Sequence, residues 1–84
     1  MSCYYIIGIR VQNRTHNAVG FQECLTKYGC NISTRLGLHC RGEADCTNDG
    51  IIILQICCGK DEVDEMMNAL NSLEGVTAKL IDLN

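Results

Sequence analysis

Alternating or continuous apolar stretches and two stretches of helical period follow one another as strand, helix, strand, strand, helix, strand. That order predicts an α+β domain, the ferredoxin-like βαββαβ sandwich. Right-handed crossovers fold it into a four-stranded antiparallel sheet with both helices on one face. The 84 residues contain no linker or low-complexity tract, so they make one domain, 1–84. A chain this short buries only about 60 to 65 per cent of the surface its unfolded form exposes, so one small core helped by self-association is expected.

The first strand, "YYIIGIRVQ" at 4–12, puts Tyr5, Ile7, Ile9 and Val11 on one face. From Ala18 the period turns helical through Phe21, Leu25 and Tyr28, with Thr15 or Asn17 available as a cap and Gly29 as the stop. "NISTRLGLHC" at 31–40 alternates again. It sets Ile32, Thr34, Leu36, Leu38 and Cys40 against Ser33, Arg35, Gly37 and His39. "RGEADCTNDG" has the Gly, Asp and Asn content of a loop. The continuous run "IIILQICC" suits a central strand buried on both faces. In "KDEVDEMMNALNSLEG" four carboxylates load the first turns, matching the helix dipole, and Val63, Met66, Met67, Leu70 and Leu73 form a stripe. Gly75 ends this helix, and "VTAKLIDL" supplies the last strand.

With both helices on one face, the other face is expected to carry Tyr4, Ile6, Gly8, Arg10, Ser33, Arg35, Gly37, His39, Ile51, Ile53, Gln55 and Cys57. That mixture is apolar enough to mark a subunit interface, centred on Tyr4, Ile6, Gly8, Gly37, Ile51 and Ile53. A homo-oligomer, dimer or tetramer, is the expected partner state.

Composition narrows the function. Apolar residues make up 46% and charged residues 20%, a globular balance. The net charge is -3 and the seven Lys and Arg are scattered, which argues against direct nucleic-acid binding. No stretch approaches the roughly 18 apolar residues of a membrane span, and the start lacks a signal peptide's apolar region, so a cytoplasmic protein is expected. Seven cysteines, an odd number without export, argue for reduced thiols.

Several features together resemble the ACT-like regulatory domains, and in particular the family of putative iron-only hydrogenase system regulators. They are Asn13-Arg14 at the first turn, Leu25 to Tyr28-Gly29, "ISTRLGL" with Arg35 and Gly37, "GIIILQI", and "LNSLEGVTAKLI". The resemblance spans almost the whole chain. It implies an oligomer similar to the effector domain of nickel-responsive repressors, with a regulatory role, no established reaction and no DNA-binding arm. The turn "NRTHNA" lacks the acidic residue and Pro-Gly pair of amino-acid-binding ACT turns, and His39 stands alone where the nickel-responsive domains place a histidine-x-histidine pair.

Three chemistries remain for the side chains. Free amides at the first helix's N-terminus, with Asn13, Arg14 and Thr15 beside them and Arg35 from a partner's sheet, suit a small anionic effector. His39, Cys40, Cys46 and Cys57 suggest instead a thiol- or metal-responsive sensor, although neighbours on a strand point to opposite faces. "VQNRTHNAVGF" echoes the phosphate loop of acylphosphatases, but Gln22 stands in place of the arginine and no nucleophile and base pair is evident. The expectation is a regulatory or sensor domain that is not an enzyme and needs no cofactor. It takes a small effector or a protein partner, with a purely structural assembly module as the further alternative.

Overall fold

The computed structural model describes residues 2–12, 14–38 and 50–84, with 14–18 described by their backbone. The elements are β1 (Ser2–Val11), α1 (Arg14–Lys27), a 3-10 turn (Gly29–Asn31), β2 (Ile32–Leu38), β3 (Gly50–Cys58), α2 (Lys60–Asn71) and β4 (Val76–Asp82). They form one antiparallel sheet in the order β2-β3-β1-β4, the ferredoxin-like arrangement that the alternation of periods predicts.

The core lies between sheet and helices because each element carries one apolar side. Tyr5, Ile7, Ile9 and Val11 of β1 meet Leu54, Ile56 and Cys58 of β3 and Val76 and Ala78 of β4. Phe21, Leu25 and Tyr28 close over them from α1, and Val63, Met66 and Leu70 from α2. At the start of α2 the Glu62 carboxylate accepts the Gly59 N–H at 3.4 Å, so one orphan donor of the helix start is satisfied by a side chain. The Tyr28 hydroxyl donates to the Glu65 carboxylate at 3.3 Å, joining the end of α1 to α2. Beyond α2, Gly75 sits at φ 76°, in the left-handed region that favours glycine.

Two expectations about elements are revised. The helix α1 begins at Arg14, so Thr15 and Asn17 lie within its first turn and not at the position before it. The strand β3 is buried on its helix-facing side only, since Ile51 is exposed and Ile53 half-buried.

The largest revision concerns β2. Ile32 pairs with Ile56, yet Thr34 pairs with Gln55, so a register shift falls at Ser33. Cross-strand partners share a face, and one extra residue therefore reverses the alternation beyond it. Thr34, Leu36 and Leu38 pair with Gln55, Ile53 and Ile51 and stand on the open face, while Arg35 and Gly37 pair with Leu54 and Ile52 and turn to the helix side. The Arg35 guanidinium accordingly donates to Gln22 Oε1 on α1 at 3.5 Å.

On β4 the Asn71 side chain, at the end of α2, donates to the Ala78 carbonyl at 3.1 Å and accepts the Ala78 N–H at 2.8 Å. The amide thus occupies backbone groups that an incoming strand would use, which blunts this edge. Asn71→Ala is expected to cost about 1 to 2 kcal/mol, for two part-buried hydrogen bonds lost. Urea unfolding checks this, and a midpoint unchanged from wild type would show that the pair contributes nothing.

Candidate functional site: the open sheet face

The face away from the helices is built rung by rung from the register. One rung reads Leu38, Ile51, Arg10, Thr77 across β2, β3, β1 and β4; the next reads Leu36, Ile53, Gly8, Lys79; the third reads Thr34, Gln55, Ile6, Ile81. Beyond them β1 and β3 end in Cys3, Tyr4 and Cys57, with Leu83 joined to Tyr4 by its N–H to the Tyr4 carbonyl at 2.9 Å. Tyr4 is 64% exposed, Leu36 and Ile81 are each 52% and Leu83 is 62%. Apolar side chains from all four strands therefore meet solvent together. In their midst a Cβ built at Gly8 would meet nothing within 4 Å, which leaves a notch in the middle of the face. The cations Arg10 and Lys79 stand on β1 and β4 within the same rungs.

One end of this face holds a feature that reverses an expectation. Cys3 and Cys57 are joined by a disulfide across β1 and β3, with 4.0 Å between their Cα atoms. These two thiols are therefore not free, contrary to the reading of all seven cysteines as reduced. The pairing rests on a register shift between Ser2 and Tyr5. The shift leaves backbone groups that side chains satisfy: Gln55 Nε2 donates to the Cys3 carbonyl at 3.0 Å, and the Tyr4 N–H donates to Ser2 Oγ at 3.2 Å. Cys57, taken from the sequence as a candidate metal ligand, has its sulfur committed to Cys3.

The remaining candidate residues separate. His39, Cys40 and Cys46 lie outside the described residues, as does Asn13. Arg14 and Thr15 fall in the first turn of α1. Arg35 is held by Gln22 on the helix side, so it and Gly37 leave the open face, while Tyr4, Ile6, Gly8, Ile51 and Ile53 stand on it. Leu36, Leu38, Ile81 and Leu83 also belong to the face. The first two were hidden from sequence reading by the bulge, and the others by the absence of any sign of how β4 pairs.

Among the described residues, no three His, Cys, Asp or Glu side chains gather as a metal-binding group. A shallow groove of about 600 Å³ runs along α1, lined by Val19, Gln22, Glu23, Thr26 and Lys27. Among the described residues Cys24, Cys30 and Cys58 are free, and Cys30 is exposed; burial pushes the Cys58 thiol up, with Glu62 adding to it, and burial pushes Cys24 up against the opposing charge of Lys27. No described helix is long and apolar enough to cross a membrane.

No protein-family model matches the chain, and no curated protein does. Solved structures do. An uncharacterized protein from Thermotoga maritima is 26% identical and superposes with a TM-score of 0.83 over 95% of both chains. An unknown protein from Galdieria sulphuraria is 16% identical, with a TM-score of 0.65. That match covers 95% of this chain but 44% of the Galdieria protein, and the likeness is one of fold.

Proposed function

We propose that the chain is a homo-oligomeric regulatory domain that assembles through its open sheet face and responds to a small effector or a protein partner. Its resemblance to the iron-only hydrogenase system regulators suggests the setting. The observation that carries the reading is the apolar face itself, with Tyr4, Ile6, Leu36, Leu38, Ile51, Ile53, Ile81 and Leu83 around the Gly8 notch.

Its size fits a second copy. Four strands about 4.8 Å apart, each about seven residues long at roughly 3.3 Å per residue with every second side chain on this face, give a patch of the order of 450 Å² in projection. Once side-chain relief is counted, that approaches the roughly 800 Å² per partner of a standard interface. The central notch lets a facing sheet approach closely. The flanking cations Arg10 and Lys79 keep the rim soluble while the centre desolvates.

The alternative, a thiol- or metal-responsive sensor, rests on His39, Cys40 and Cys46. The bond between Cys57 and Cys3 favours a thiol form of it over a metal site that uses Cys57.

Light scattering on wild type, Leu36→Asp and Gly37→Arg tests the assembly reading together with the flipped face of β2. Wild type is expected to be a dimer or larger, Leu36→Asp a monomer, and Gly37→Arg unchanged in mass. A monomeric wild type would defeat the reading. Dissociation by Gly37→Arg with an intact Leu36→Asp oligomer would instead place the interface on the other side of β2.

A further inference from the structure

The Cys3–Cys57 bond occupies an unusual place for a structural staple. It lies outside the core, at the end of the open face, between two inner strands that the ladder already holds together. Cys3 is exposed and Cys57 half-buried, so the bond lies at the surface, on the side from which a soluble thiol would approach. Exposed disulfides are the labile and regulatory ones, whereas buried ones resist reduction. The bulge does not depend on the bond for its hydrogen bonds, because Gln55 and Ser2 already satisfy Cys3 and Tyr4. The fold therefore has the means to survive its loss. The nearest other thiol in sequence, Cys58, is buried in the core on the opposite face of β3, so it is not placed to compete for either sulfur.

We infer that Cys3–Cys57 is a redox-active disulfide that exchanges with an external dithiol reductant and thereby sets the strength of assembly at the open face. The inference rests on the assembly reading above and adds its regulation.

The chemistry closes without a metal or cofactor. A thiolate of the external dithiol attacks Cys3 Sγ, the Cys3–Cys57 bond breaks as a mixed disulfide forms, and Cys57 leaves as a thiolate that takes up a proton. The second thiol of the reductant then attacks its own sulfur in the mixed disulfide and releases Cys3 as a thiol. Two electrons and two protons pass to the protein, and the reductant ends as a disulfide. An external disulfide reverses each step.

The oxidised form is the assembling one. The bond ties the ends of β1 and β3 in the rung next to Gln55 and Ile6, beside Tyr4 and Leu83, so that corner of the apolar face is ordered before contact. Reduction frees two side chains and the strand end, whose ordering then falls on the binding step. This weakens association by about two- to ten-fold. Linkage is reciprocal: if the oxidised form associates more tightly by some factor, association makes reduction less favourable by the same factor, so the reduced fraction at a fixed dithiol ratio falls as protein concentration rises.

The test equilibrates the wild-type chain in mixtures of reduced and oxidised dithiothreitol. Accessible thiols are counted by maleimide labelling and peptide mapping, circular dichroism is recorded, and mass is followed against concentration by light scattering. The expected result is two thiols gained at Cys3 and Cys57 with the fold intact, and an association midpoint about two- to ten-fold higher in the reduced form. Cys3→Ser is expected to reproduce the reduced midpoint and to ignore dithiothreitol. Thiols that appear only on unfolding overturn the inference, and so does a two-thiol gain that leaves the midpoint of an existing oligomer unmoved. An oxidised protein that is monomeric at every concentration overturns the assembly reading and this inference with it, and the oxidised sample alone tells that case from the others.

Discussion

Ile53→Asp is expected to convert the oligomer to a folded monomer. Ile53 stands on the open face of a central strand, opposite Gly8 on one side and Leu36 on the other. In the isolated protomer it is half-buried, so an aspartate there keeps access to water and the core behind it is untouched. Against a second copy the same carboxylate is desolvated without a partner. A buried charge left unpaired costs about 3 to 5 kcal/mol, and a two-fold interface brings two of them together. Even one is worth a factor of about a hundred to a few thousand in the dissociation constant. Light scattering at micromolar concentration reads the mass, and circular dichroism confirms the fold. Gly8→Val is the companion: a Cβ there meets nothing in the protomer, and valine suits a strand, so the variant should fold at least as well while its bulk fills the notch. Oligomers retained by both variants would remove the open face as the assembly surface.

The order of elements was legible because it depends on local periodicity, which six segments of this chain display plainly. What escaped depends on pairing between distant residues. The alternation of "ISTRLGL" is unbroken in the sequence, and nothing within it marks Ser33 as the place where the ladder with β3 slips. Unbroken alternation therefore puts Leu36 and Leu38 on the core side and Arg35 and Gly37 on the open face, each one residue out of phase with the ladder. The disulfide was hidden for the same reason. Its two cysteines are 54 positions apart and meet only because β1 and β3 pair with a shift at their ends. A count of cysteines carries no such register information. The start of α1 escaped for a different reason: its first turn, "RTHN", is polar throughout and shows no apolar stripe to read.

The two faces of β3 also predict opposite consequences for adjacent residues. Leu54→Ala, one position from Ile53, is expected to leave assembly unchanged below its melting transition and to destabilise the protomer severely. Leu54 has 0% exposure and lies opposite Ile7 on β1, within the cluster closed by Met66 and Leu70 of α2. Truncation removes three carbons whose burial is favourable and leaves a cavity that a central strand, held by ladders on both sides, has little freedom to collapse. The combined loss is about 2 to 5 kcal/mol. For a domain of this size each kcal/mol lowers Tm by roughly 4 to 8 °C, so a fall of at least about 8 °C is expected. Because association stabilises the folded chain by mass action, the comparison belongs in the Ile53→Asp background, where the protomer is measured alone. Guanidinium unfolding there should show a lower midpoint with an unchanged slope, the sign of lost stability without a change in exposed surface. A loss below about 1 kcal/mol would mean that Leu54 is not enclosed as described, and the alternation that places Ile53 on the open face would fall with it.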